Sequence, residues 1–202
     1  MFTSNKLWMT ADTHFNHQRT LELSQRPFAN LDEMNKVIAA KWNRLVSDGD
    51  MVIHFGDFGE PRFLKGLKGR ILLLPGNYER DAYSKDPNYY DQFIDYQNPE
   101  APITILKDCM FKDLLASTFF HSQEYKDFFT SVHITHEPPI NSPAMKDSHI
   151  CNLFGHIHKL QMVKRYGLNV GTDAHNFEPI DIERVEFYIG GIMKYYDDNV
   201  FC

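Results

Sequence analysis

The sequence predicts an α/β fold on three observations. Apolar residues gather in short runs bounded by turn residues, a clear helical period lies between two of those runs, and the runs end in Asp, Asn, Gly or His. With 202 residues, 43% of them hydrophobic and 24% charged, the chain has the material for one core, and residues 1–202 read as a single domain.

Lys6 to Thr10 reads as the first strand and runs directly into Asp12 and His14. Asn30 is placed to cap a helix, with Glu33 three residues on to reach back, and Met34, Val37, Ile38, Trp42 and Leu45 then recur at helical spacing as a core stripe. Gly49-Asp50 closes that segment. Met51 to Phe55 is a buried strand delivering Gly56-Asp57, and Arg70 to Leu74 is a third, stopped by Pro75-Gly76 and delivering Asn77. From Asp81 to Thr130 the pattern is broken by Pro87, Pro99 and Pro102 and rich in Phe and Tyr, so no elements are assigned there. Ser131 to Thr135 then leads to His136, Cys151 to Phe154 to Gly155-His156, and Leu168 to Val170 to Gly171. Pro179 is expected to open a last helix in which Ile182, Val185, Ile189, Ile192 and Tyr196 keep the period, weakened by Gly190-Gly191.

Composition excludes several function classes. No apolar run approaches the ~20 residues a membrane span needs. A balance of 21 Lys+Arg against 27 Asp+Glu, net −6, gives no basic track for long nucleic acid. Cys109, Cys151 and Cys202 have neither metal-type nor redox-type spacing and read as free thiols in a reducing compartment, so a cytoplasmic location is expected. The amino terminus lacks a basic patch followed by an apolar stretch, so the chain is expected to work without cleavage of a leader. The one compositional excess is ten histidines, the commonest metal ligands and neutral-pH acid/base groups.

Those histidines fall where ligands are expected. Five apolar runs end in Asp12 with His14, Asp57, Asn77, His136, and His156 with His158. In an α/β sheet such ends share one edge, where diverging loops open a crevice. Residues two apart, as in Asp12/His14 and His156/His158, can face the same crevice. Mixed imidazole and oxygen donors suit Mn, Fe, Zn, Co or Ni better than Ca or Mg, and seven ligands exceed what one ion takes.

In order, Asp12-x-His14, Gly56-Asp57, Gly76-Asn77, His136 and Gly155-His156-x-His158 resemble the five motifs of the calcineurin-like metallophosphoesterases, across Leu7 to Val170. The small bacterial and phage-type members are the most similar, through Thr10-Ala11-Asp12-Thr13-His14-Phe15, Arg26-Pro27-Phe28 and Asn169-Val170-Gly171. The resemblance implies a four-layer sandwich of two mixed β-sheets flanked by helices, with a dinuclear site. Asp12, His14, Asp57 and His158 would hold one divalent transition-metal ion; Asp57, Asn77, His136 and His156 would hold the second, with Asp57 bridging. It also implies hydrolysis of phosphate esters by a metal-bound hydroxide, in a centre that stays cationic inside an acidic protein.

The family usually carries His after the Asn of the third motif, where it serves the leaving group; this chain has Tyr78. A phenol, with a reference pKa of about 10 against about 6.5 for imidazole, is the poorer proton donor near neutrality. Phosphodiesters and activated esters are therefore expected over alkyl monoesters, on a small-molecule or nucleotide substrate, with His17 as a candidate substitute acid. His54, inside a strand, reads as a core histidine. His121, His133, His149 and His175 read as surface or supporting groups, and Asp173 and His175 as neighbours of the site. Arg19, Arg62, Arg80 and Lys159 are candidate phosphate contacts, and Glu137 a candidate partner that orients a ligand imidazole. The aromatic stretch from Tyr83 to Phe129 reads as core, with a lid over the site or a homodimer contact as alternatives. A different class of function, a binding scaffold of the same fold with little turnover, is favoured by Tyr78 and disfavoured by retention of all seven ligands.

Overall fold

The computed structural model describes residues 5–107, 109, 111–140 and 143–197, with only the backbone at 111 and 145. In chain order the elements are β1 (Leu7–Thr10), α1 (Gln18–Leu23), α2 (Leu31–Leu45), β2 (Met51–His54), β3 (Arg70–Leu73), α3 (Asn77–Lys85), α4 (Asp91–Tyr96) and β4 (Ile103–Ile105). They continue with β5 (Phe111–Leu115), α5 (Ala116–Phe119), α6 (Gln123–Phe128), β6 (Ser131–Thr135), α7 (Pro143–Lys146), β7 (Ile150–Phe154), β8 (Val163–Lys164), β9 (Gly167–Asn169), β10 (Ile180–Asp181) and α8 (Ile182–Tyr195). The chain is α/β, with two mixed five-stranded sheets ordered β10-β1-β2-β3-β4 and β5-β6-β7-β9-β8, flanked by helices.

Side-chain alternation along the strands divides the interior in two. In the first sheet Trp8 pairs with Val52 and Met9 with Ile53, so the register keeps like faces together. Trp8, Val52, Ile71 and Leu73 pack with Met34, Ile38 and Trp42 of α2. Met9, Ile53 and Leu74 face the other way and join Val132, Ile134, Leu153 and Leu168 of the second sheet, together with Ile182, Val185, Ile189 and Ile192 of α8. Helix α2 starts as its sequence directs: Asn30 accepts from the Glu33 N–H at 2.9 Å. Glu33 reaches back to the Ala29 N–H at 2.6 Å, one residue beyond the expected partner.

The two sheets meet at the carboxyl ends of their central strands. Ala11, just after β1, forms a parallel bridge with Gly171, just after β9, and Thr172 N–H donates to the Ala11 carbonyl at 2.9 Å. The shared edge inferred from the sequence is thus built from two sheets: β1, β2 and β3 supply one side, β6 and β7 the other.

Several local expectations change. Pro179 does not open the last helix, because Ile180–Asp181 first pairs antiparallel with β1, and Asp181 then caps α8 by accepting from Arg184 N–H at 3.0 Å. Gly190 leaves room for the Tyr125 hydroxyl, which lies 2.4 Å from where a Cβ would stand, so a side chain there would displace that ring. Most of the aromatic stretch is core. Tyr90 and Phe93 are buried beside Trp42's cluster and Phe119, Phe120 and Phe129 between the sheets, so no lid is formed from these side chains. Cys109 and Cys151 are free thiols, while Cys202 and residues 1–4 lie outside the described residues. Among the described residues no helix is long and apolar enough to cross a membrane.

Candidate metal centre

Five of the candidate ligands sit in left-handed backbone conformations, with φ of 58° at Asp12, 47° at His14, 55° at Asp57, 68° at His156 and 49° at His158. Each such non-glycine residue costs about 1–2 kcal/mol, a strain that persists only where the surroundings impose it. The surroundings do so by lacing the strand-end loops together. Asp12 N–H donates to the Gly56 carbonyl and His14 N–H to the Asp57 carbonyl, both at 3.0 Å. Glu79, buried in the first turn of α3, accepts from Asp57 N–H at 2.8 Å, Phe58 N–H at 2.8 Å and Gly76 N–H at 2.9 Å. Gly56 must be glycine: its φ is 97°, and a Cβ would lie 2.3 Å from the Gly76 nitrogen.

This lacing gathers the candidate ligands into two adjoining clusters. The ligand atoms of Asp12, His14 and His158 lie within 4.8 Å of one another, as do those of Asp57, His136 and His156. Asp57 joins them, its Oδ2 being 3.5 Å from His14 Nε2 and 3.4 Å from His136 Nε2. Asn77 closes the second cluster, with Oδ1 3.0 Å from both His136 Nε2 and His156 Nδ1. All seven ligands expected from the sequence therefore converge. Two buried atoms of the first cluster, Asp12 Oδ1 and His14 Nε2, have no hydrogen-bond partner. A buried carboxylate oxygen and imidazole nitrogen left unpartnered are costly, and a cation would relieve both.

Electrostatics point the same way. Burial pushes the Asp12 carboxyl up to about 6, against the pull of His136 and His158. At Asp57 burial has the same tendency but is overcome by the His136 hydrogen bond and by the charges of His136 and His14, which bring it down to about 2. Burial would lower His136, yet the Asp57 hydrogen bond and the charges of Asp12, Asp57 and Glu137 raise it to about 9. Burial, helped by the charges of Arg26, His158 and His17 and opposed by Asp57, holds His14 well below the ordinary histidine range. Anionic carboxylates here thus require positive charge beside them.

Supporting residues fix the imidazoles. His136 Nδ1 donates to the Phe55 carbonyl at 2.7 Å, so Nε2 is the atom it turns to the centre. The partner expected for that role, Glu137, instead pairs with Arg80, which also donates to the Pro75 carbonyl at 2.8 Å. Both are thereby removed from the roles expected of them. Asn169 donates to the His158 carbonyl at 2.7 Å and accepts from Gly171 N–H at 2.8 Å, holding the loop after β7. His54 is a core histidine: Gly56 N–H donates to its Nδ1 at 3.2 Å, and its Nε2 lies 3.0 Å from Thr13 Oγ1. His175 is buried under β9, donating from Nε2 to the Asn169 carbonyl at 2.7 Å. His121 and His149 are exposed, as are Arg19 and Lys159, and Arg62 pairs with Glu60. His133, expected at the surface or in support of the site, is mostly buried against Asp113, at 2.7 Å on the outer strand pair.

His17 and Tyr78 stand together at the mouth. The His17 ring stacks on His14 at 5.2 Å and meets Tyr78 edge-on at 4.8 Å, and its Nδ1 is 2.6 Å from Thr20 Oγ1. Tyr78 N–H donates to Asp57 Oδ1 at 3.0 Å, and the residue is 39% exposed. Both rings, with His14, Glu60, Asp81 and Tyr89, line an open cleft of about 400 Å³.

Sequence reasoning missed the Glu79 clamp and the ion pair of Arg26 with Asp173. Glu79 was marked by its third position in a helix whose first turn follows a strand; Arg26 was marked only by the Arg26-Pro27-Phe28 likeness, which does not name its partner.

Comparison with known proteins adds the fold and no activity. No family model matches the chain. It is 24% identical over 190 residues, 89% of each chain, to an uncharacterized protein of Methanocaldococcus jannaschii, MJ1445. It also resembles the crystal structure of a protein of unknown function, AQ665 from Aquifex aeolicus. That likeness has a TM-score of 0.64 and 17% identity and covers 92% of this chain and all of that one.

Proposed function

We propose that the chain is a calcineurin-like phosphoesterase in which two divalent transition-metal ions lie side by side, cleaving phosphodiesters or activated esters of a small molecule or nucleotide. The observation that carries this reading is the pair of clusters joined through Asp57, with Asp12 Oδ1 and His14 Nε2 of the first buried without a hydrogen-bond partner. The donor set fits: three oxygen ligands and four imidazoles, two of which have one nitrogen engaged in orienting hydrogen bonds. Two such ions supply Lewis acidity and an activated water for in-line displacement at phosphorus.

The protein's own part is to hold and to select. Glu79 and the zipped loops keep Asp57 in a strained conformation so that one carboxylate faces both clusters. Tyr78 and His17 form the wall of the cleft nearest His14, where a leaving group would depart. With a phenol in place of an imidazole at position 78, esters whose leaving groups need no proton are favoured. Tyr78→His is expected to raise turnover on alkyl esters by about tenfold or more while changing aryl esters little, since a positioned general acid contributes ~10²–10⁴-fold only where protonation is needed. Rates plotted against leaving-group pKa should be steep for the wild type and shallower for the variant; parallel lines would remove Tyr78 from this role.

The reading is tested on protein purified free of metal, reloaded with Mn, Fe, Zn, Co or Ni, and assayed on matched aryl phosphate mono- and diesters. Metal-dependent hydrolysis with a preference for the diester is expected. Absence of any metal-dependent rate would defeat it.

A further inference from the structure

The two clusters differ in what stands behind their histidines. In the second, His136 Nδ1 donates to a neutral backbone carbonyl, that of Phe55. In the first, His158 Nδ1 lies 2.9 Å from Oδ2 of Asp173, a carboxylate whose side chain is 2% exposed. Asp173 is held in turn by Arg26, whose guanidinium is fully buried and donates from Nη2 at 2.7 Å and Nε at 3.0 Å, a bidentate pair. The same guanidinium donates to the Asp12 carbonyl and, at 2.9 Å, to that of Thr13, so it ties Asp173 to the strand end that carries Asp12 and His14. Ser24 Oγ, 3.2 Å from His158 Nδ1, is the remaining neighbour of that nitrogen. Among the described residues, no other candidate ligand imidazole is hydrogen-bonded to a carboxylate outside the clusters.

Resting on the metal-centre reading above, we propose that Asp173 is a positioning residue that makes the Asp12/His14/His158 cluster the tighter of two unequal cation sites. A carboxylate behind an imidazole fixes its tautomer with the proton on Nδ1, aims Nε2 at the site and makes that nitrogen a better donor; loss of such a partner typically weakens metal binding ~10–100-fold. A backbone carbonyl gives the same orientation without the negative charge. Arg26 spares Asp173 the cost of an unpaired buried anion and sets its distance to His158, because it is anchored on the same loop as the other ligands. Among the described residues the second cluster has no equivalent support, and it is the site that fills later.

Titration of the metal-free chain with Mn²⁺, followed by calorimetry and by the electron paramagnetic resonance of the free ion, separates the two sites. The wild type should bind two ions in two steps of different affinity. Asp173→Asn should weaken the tighter step about 10–100-fold and leave the weaker step in place, while Ser24→Ala should leave both steps within about threefold. Asp173→Glu, which keeps a charge for Arg26 but displaces the carboxylate, should weaken the same step by a smaller factor and serves if the Asn variant does not fold. A wild type that binds two ions, with Asp173→Asn (or Asp173→Glu if the Asn variant does not fold) changing neither step or both equally, overturns this proposal and leaves the metal centre standing. A wild type that binds no ion overturns both.

Discussion

Asp57→Asn is expected to fold and to lose metal-dependent turnover by about 10³-fold or more, in line with removal of a principal charge-stabilising group from an active site. The substitution keeps the shape of the side chain, including an oxygen to accept from Tyr78 N–H, now at 3.0 Å. What it removes is the negative charge placed 3.5 Å from His14 Nε2 and 3.4 Å from His136 Nε2. One oxygen of that carboxylate is close to an imidazole of each cluster, and a neutral amide in its place would be a far poorer ligand to two cations. Steady-state rates on an aryl diester, beside near-ultraviolet circular dichroism to show retained packing, decide the matter. A variant with wild-type kcat/KM would mean that Asp57 does not serve the reaction.

Glu79→Ala is expected to be the most damaging change to stability, by about 3 kcal/mol or more, because it strands three buried N–H groups at a typical ~1–3 kcal/mol each, with partial rescue by water. Those groups belong to Asp57, Phe58 and Gly76, so the loss also frees the backbone that holds Asp57 at φ 55°. One opposing effect is real: burial and the nearby Asp57 charge raise the Glu79 carboxyl pKa, so the ionised clamp is not free of cost. Glu79→Gln retains one acceptor but turns an amide N–H₂ toward a donor, and should fall between the two. Denaturant unfolding at neutral pH measures all three, and an Ala variant within about 1 kcal/mol of wild type would show that the clamp is dispensable.

The contrast between these two residues shows what the sequence could carry. Asp57 was legible because it ends an apolar run after glycine, and six other ligands end or follow runs of the same kind. Their convergence needed only the rule that strand ends share an edge. That the edge is assembled from two sheets was not legible from periodicity, since β8 and β10 are two-residue strands and β4 three residues, too short to show alternation. The Arg26–Asp173 pair spans 147 positions; Asp173 was expected near the site and Arg26 stood within the Arg26-Pro27-Phe28 likeness, but nothing local showed that the two pair. The Tyr83–Phe129 region defeated assignment because its aromatic side chains serve two different cores. Glu137 was misread for a simple reason: adjacency in sequence to His136 placed it near an imidazole, but along the chain it turns to Arg80.

The central claim is that two cations lie side by side in this centre with Asp57 between them. Anomalous diffraction at the manganese edge from crystals of the metal-free protein soaked in Mn²⁺ tests it directly. The account requires two peaks about 3.5–4 Å apart, one against Asp12, His14 and His158, the other against Asn77, His136 and His156, both touching Asp57. A single peak, peaks elsewhere on the surface, or none at full soak would contradict it.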